Sequence, residues 1–205
     1  MGQRNQMQSI AKTANDPVRV GIRACFTVYR RCLVAASRAL SHLTPAVARA
    51  AADSEIDPEV LFGILLLEHA NRGGMTRIAE RLLSRIFPGY VIRKDCSLGL
   101  CQIRISTAQR ISGDPPRRVV SALLNDQRNI VICAQLLSDL QSRYRLGVLP
   151  IRDRLASTAK LYLTGRLNAP QYPWIALYAE LLVDSVSSGL FRCASRHWTG
   201  GSVSR

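Results

Sequence analysis

The longest apolar run in the chain, Val60–Leu67 (VLFGILLL), ends directly on a carboxylate, Glu68. Burying a large apolar side chain stabilises a fold by roughly 1.5–3 kcal/mol, so a run of this kind has to find a core. It is too short to cross the roughly 30 Å of hydrocarbon in a bilayer. The residues before it read as a helix start. Asp57 suits the N-cap, Pro58 the first helical position, and Glu59 the positive end of the helix.

The chain around this helix has 205 residues, 47% of them hydrophobic. That is enough for one full domain with a sizeable core, and it excludes a disordered chain. The formal net charge is +14, and the excess is nearly all arginine. Such a chain is drawn to anionic polymers: nucleic acid, anionic lipid or a bacterial wall. Charge does not choose among them, and no recognised DNA- or RNA-binding motif is present, so no specific nucleic-acid partner is expected. No transmembrane segment is expected either. The N-terminal residues do not read as a signal peptide: they are polar, and the apolar stretch after them is interrupted by Arg23, Arg30 and Arg31.

The six cysteines form no CxxC pair and there are only three histidines, so a zinc site is not expected. Cys25 and Cys32 are about 10 Å apart on a helix, too far to bridge. Cys96 and Cys101 flank the SLGL turn and can bridge if oxidised; the alternative is that the cysteines are small buried hydrophobes.

Hydrophobic spacing divides the chain into a flexible basic arm (1–17), a single domain (18–190, core 55–185) opened by a helical extension, and a polar, frayed C-terminal tail (191–205). Helices are expected over 18–42, 58–72, 76–87, 107–111, 126–144, 152–163 and 173–188. The β-branched YVIR and the IRI segment point to a small hairpin or extended loop within 90–105. The DPP at 114–116 is expected to break a helix. The fold class is mainly α with one small β element.

Within the first well-marked helix, Leu61, Ile64 and Leu65 lie seven, four and three residues before Glu68, which puts Glu68 on the apolar face. An ionised carboxylate is costly there, and a raised pKa is the usual escape. A protonated carboxyl in an apolar cleft is what glycosidic cleavage needs as a general acid. The residues alone leave a second reading open, in which Glu68 turns to solvent or pairs with Arg72 at i+4. Gln102 is equally open: a cleft amide, or an amide tying its own loop.

Five segments occur in a characteristic order: LLLEHA, SLGLCQIRISTAQ, LLNDQRNIVICAQLLSDLQSRY, KLYLTG and YPWIALYAELL. Together, over about residues 55–185, they resemble the soluble-type lytic transglycosylases, relatives of goose-type lysozyme. The resemblance implies a lysozyme-like α+β domain that cleaves peptidoglycan glycan strands without cofactor or metal. Glu68 matches the catalytic acid/base acting on the bond between N-acetylmuramic acid and N-acetylglucosamine. It would then take the C6 hydroxyl proton as a 1,6-anhydro ring closes.

Gln102 matches the glutamine that holds the sugar. The backbone of Ser97 to Leu100 would form one cleft wall, with Gly99 allowing close approach to the glycan. Tyr162 matches a tyrosine near the carboxylate, Asn129 is read as structural, and Tyr178 as a cleft or core residue. His69 stands where the family has Ser, and Leu163 where it has Asn. His69 is read either as a pH-dependent neighbour of the acid or as a residue of the helix flank.

The interval between Glu68 and Ser97 is longer than usual and contains Asp95. As a second carboxylate, Asp95 would make the enzyme a hydrolysing muramidase. The other alternative is a non-catalytic protein binding glycan or serving a secretion machine. The resemblance implies synthesis in the cytoplasm and action in the periplasm or at the cell wall, delivered by a phage lysis or secretion machine or by an upstream leader.

Overall fold

The computed structural model describes residues 17–72, 74–170 and 172–200, with side chains outside 17–25, 74–77 and 197–200. The arm at 1–17 therefore lies almost wholly outside the described residues, as does Cys25 at the side-chain level.

The VLFGILLL run forms the middle of a helix that other helices encase. We label the helices in chain order: α1 (Pro17–Ala39), α2 (Thr44–Asp53), α3 (Pro58–Ala70), α4 (Gly74–Ile86), α5 (Pro88–Arg93), α6 (Ile105–Ser112), α7 (Pro116–Leu124), α8 (Asp126–Arg143), α9 (Ile151–Thr164), α10 (Pro173–Ser187) and α11 (Leu190–Gly200). Every residue of α3 from Val60 to Glu68 is buried, under α1, α2, α10 and α11, with α8 touching as well. A helix apolar all round is stable only in such a position. Its start is as the sequence indicates: the Asp57 carboxylate accepts a hydrogen bond from the Glu59 amide at 2.9 Å, with Pro58 in the first turn. At Gly63 the crossing with α10 is so close that a Cβ would stand 2.7 Å from the Leu182 methyl carbon and the Ser185 hydroxyl.

Among the described residues there is one small sheet, and it is antiparallel. Strand β1 (Ser97–Leu98) pairs with β2 (Ile103–Arg104), with Ser97 opposite Arg104 and Leu98 opposite Ile103. The fold is thus mainly helical with one two-stranded element, as expected from the sequence. No single described helix is long and apolar enough to cross a membrane.

Several boundaries differ from the expectation. YVIR is helical, as α5, because Pro88 starts a turn that its β-branched residues then follow. The DPP segment ends one helix and also starts the next: Pro115 is the N-cap and Pro116 the first residue of α7. Helix α2 was not foreseen, its alanine-rich sequence giving little hydrophobic contrast. The chain from Arg192 is not a frayed tail over its described part. Helix α11 buries Ala194 and packs Phe191 edge-on against Phe62, ring centroids 5.6 Å apart. Its start is captured by Glu59, whose carboxylate accepts from the Phe191 amide at 3.0 Å and from Arg192 Nε at 3.1 Å. Negative charge at the first turn of α3 and free amides at the start of α11 satisfy each other.

Candidate active site

Glu68 lies in the last turn of α3, where the encased helix emerges into a cleft of about 630 Å³. It is only 9% exposed. One carboxylate oxygen accepts a hydrogen bond from the Tyr178 hydroxyl of α10 at 2.9 Å. Burial pushes the Glu68 carboxyl above its ordinary range; the Tyr178 hydrogen bond and the charge of Arg72 pull the other way without cancelling it. Burial, and then the charge of Glu68, hold the Tyr178 phenol well above its usual pKa, so it stays a donor. The cleft therefore contains an acid biased towards its protonated form, which is the property a general acid requires.

The opposite wall comes from the β1–β2 turn, which is fixed from several directions. Asn129 on α8 is fully buried. Its Oδ1 accepts from the Cys101 amide at 2.8 Å, and its Nδ2 donates to the carbonyls of Leu98 at 3.2 Å and Leu123 at 3.0 Å. The Tyr162 hydroxyl donates to the Cys101 carbonyl. Gln102, in a left-handed backbone conformation (φ 53°), turns its amide nitrogen to the Gly99 carbonyl at 2.6 Å and to Glu80 Oε1 at 3.2 Å. Among the described residues its carbonyl oxygen accepts no hydrogen bond. The turn is therefore a rigid support that presents Gln102 to the cleft.

The residues indicated by the sequence separate into two groups. Glu68, Ser97, Gln102 and Tyr162 line one cleft. Leu100 does not; it is buried in the core. Gly99 also does not line it. Its left-handed backbone (φ 76°) places any Cβ 1.9 Å from the Leu123 carbonyl oxygen and 2.3 Å from Asn129 Nδ2. The close approach that needs glycine is to the protein's own α7–α8 junction rather than to a glycan.

Asp95 lies outside the cleft lining, and both its oxygens are engaged. They accept from the amide and the hydroxyl of Ser106, each at 2.7 Å, and so cap the first turn of α6. To activate water, Asp95 would have to give up both of these bonds. Cys96 and Cys101 are free thiols, and burial pushes the Cys101 thiol well up. His69 is half-buried and does not line the cleft.

Two residues of the site were not assigned these roles from the sequence. Tyr178 is the direct partner of Glu68, although 110 positions away. Glu80 on α4 joins the two cleft walls: Arg72 donates to its Oε2 at 2.8 Å while Gln102 donates to Oε1. Its side chain is 10% exposed. A regular carboxylate on an amphipathic helix gives no local sign of such a role. At the cleft rim Asp139 holds Arg110 at 2.9 Å and Arg143 at 2.8 Å, which ties α6 to α8.

The Tyr178–Glu68 contact carries a prediction. Tyr178→Phe removes a bond that favours the charged carboxylate, so the Glu68 pKa should rise further. An activity that needs the protonated acid declines as pH rises through that pKa. The alkaline limb of its pH–rate profile should accordingly move to higher pH in Tyr178→Phe, and an unmoved or lowered limb would contradict the assignment.

Comparison of the chain with protein-family models, with curated proteins and with solved structures returned no match.

Proposed function

We propose that the protein is a peptidoglycan-cleaving enzyme of the lytic transglycosylase kind, with a lysozyme-like arrangement of helices around a single catalytic carboxyl, Glu68. The observation that carries this reading is the buried acid at the end of α3, opening into a cleft that also presents Gln102 and Tyr162. The cleft suits a saccharide chain. Ser97, Gln102, Ser106, Thr107 and Thr164 offer hydrogen-bonding groups beside the apolar surfaces of Leu136 and Leu161, the mixture that sugar rings require. Arg104 in the lining suits a polymer bearing carboxylates, whereas Arg110 and Arg143 are already held by Asp139.

In this mechanism Glu68 donates its proton to the oxygen linking N-acetylmuramic acid to N-acetylglucosamine. The C1–O bond breaks and the N-acetylglucosamine side leaves as an alcohol. The C6 oxygen of the muramic acid closes on C1, and its proton returns to Glu68. No water enters and no second carboxylate is needed. The engagement of Asp95 by Ser106, and of Glu80 by Arg72 and Gln102, favours this route over hydrolysis by a second carboxylate that activates water.

The test is mass spectrometry of fragments released from purified sacculi. The expected products end in 1,6-anhydromuramic acid. Reducing ends would make the enzyme a hydrolase, and no release would leave the cleft as a glycan-binding site without catalysis. The proposed setting is the periplasm or the cell wall.

A further inference from the structure

Helix α4 is packed the reverse of a normal surface helix. Its polar residues Glu80 and Ser84 are turned to the body, while Ile78, Leu82 and Ile86 form an exposed ridge at four-residue spacing, with Leu83 beside it. Phe87 and Tyr90 continue the apolar surface onto α5, and all six are exposed. Arg81 and Arg85 stand at the edge between the ridge and the body-facing side. With Arg117 of α7 they line a pocket of about 580 Å³ that also includes Ser84 and Ser121. Ser84 is 5% exposed, and its hydroxyl is the one buried side-chain polar atom without a partner among the described residues. Asp126 lies 3.7 Å from Arg81. Arg85 and Arg117 have no ion pair among the described residues.

We propose that this face seats the protein on an anionic phospholipid surface, with the α4–α5 ridge in the acyl boundary and a headgroup phosphate held by Arg81, Arg85, Arg117 and the Ser84 hydroxyl. A phosphate supplies the acceptor oxygens that the orphaned hydroxyl and the guanidinium groups require. A lipid supplies, in the same molecule, the apolar phase that the ridge requires. A nucleic acid would satisfy only the arginines and would leave six apolar side chains against solvated phosphates. The inference is independent of the glycan-cleaving reading, since the face carries none of the residues that line the cleft.

The full chain is floated with vesicles of phosphatidylcholine alone and with vesicles containing roughly 30% phosphatidylglycerol. Binding is expected to the anionic vesicles only, and to weaken with added salt. Arg85→Gln with Arg117→Gln should lower the partition coefficient by roughly fivefold per arginine, and Leu82→Gln with Ile86→Gln by roughly tenfold or more. All four positions are exposed, so the melting temperature should be unchanged.

Absence of flotation on anionic vesicles overturns the proposal, as does binding that either pair of substitutions leaves intact. Inorganic phosphate is titrated in parallel. A phosphate-dependent rise in melting temperature that the arginine pair abolishes, without vesicle binding, would mark a free-phosphate site and overturn the lipid. Self-association abolished by Leu82→Gln, again without vesicle binding, would mark a second copy as the occupant.

Discussion

Glu68→Gln is expected to leave the fold intact and to lower glycan release from sacculi by about a thousandfold, the scale of losing a general acid. The substitution is nearly isosteric, and the Gln carbonyl can still accept the Tyr178 hydrogen bond seen at 2.9 Å. Loss of activity would then report the missing proton rather than a disturbed cleft. Stability supplies a second signature. In the folded protein the Glu68 carboxyl is held above its ordinary pKa, chiefly by burial. The native state therefore binds more protons than the unfolded state between the two values, and stability declines as pH rises through that window. Glu68→Gln has no such proton to lose. Its stability relative to wild type should be greatest above the window. Unchanged lysis by Glu68→Gln would remove Glu68 from the chemistry.

Asn129→Leu is the second large expectation, here on stability. Asn129 satisfies one donor and two acceptors inside the protein, at Cys101, Leu98 and Leu123. A leucine removes all three bonds at once, and a buried backbone group left without a partner costs about 1–3 kcal/mol. A loss of about 4 kcal/mol in chemical denaturation is expected. The turn carrying Gln102 should loosen before the global transition, with faster amide exchange at Cys101. A loss below about 1 kcal/mol would mean that the turn does not depend on this clamp.

The parts of the molecule set by local chemistry were legible in the sequence. Asp57, Pro58 and Glu59 locate the start of α3, and the spacing of Leu61, Ile64 and Leu65 puts Glu68 on a buried face. Ser97 and Gln102 line the second cleft wall. Parts decided by contacts distant in sequence were not legible. The partner of Glu68 sits on α10, and the Phe191 amide capped by Glu59 begins a helix far along the chain.

Proline misled where it acts in both directions: Pro116 begins α7 as the preceding residues end α6. Local β-propensity misled at YVIR, where the Pro88 helix start overrode it. At α11 the polar composition hid Phe191 and Ala194, two apolar residues placed to pack on the body. Gly99 does require glycine, and the protein group that crowds it is the Leu123 carbonyl.

The most direct measurement is the titration of the Glu68 side-chain carboxyl carbon by NMR, assigned by its absence in Glu68→Gln. Everything proposed for the cleft rests on this group keeping its proton when ordinary glutamates have lost theirs. The midpoint should lie above the ordinary glutamate range and rise again in Tyr178→Phe. A midpoint at or below that range would show a carboxylate already ionised at the pH where it is meant to act as an acid, and would contradict the account.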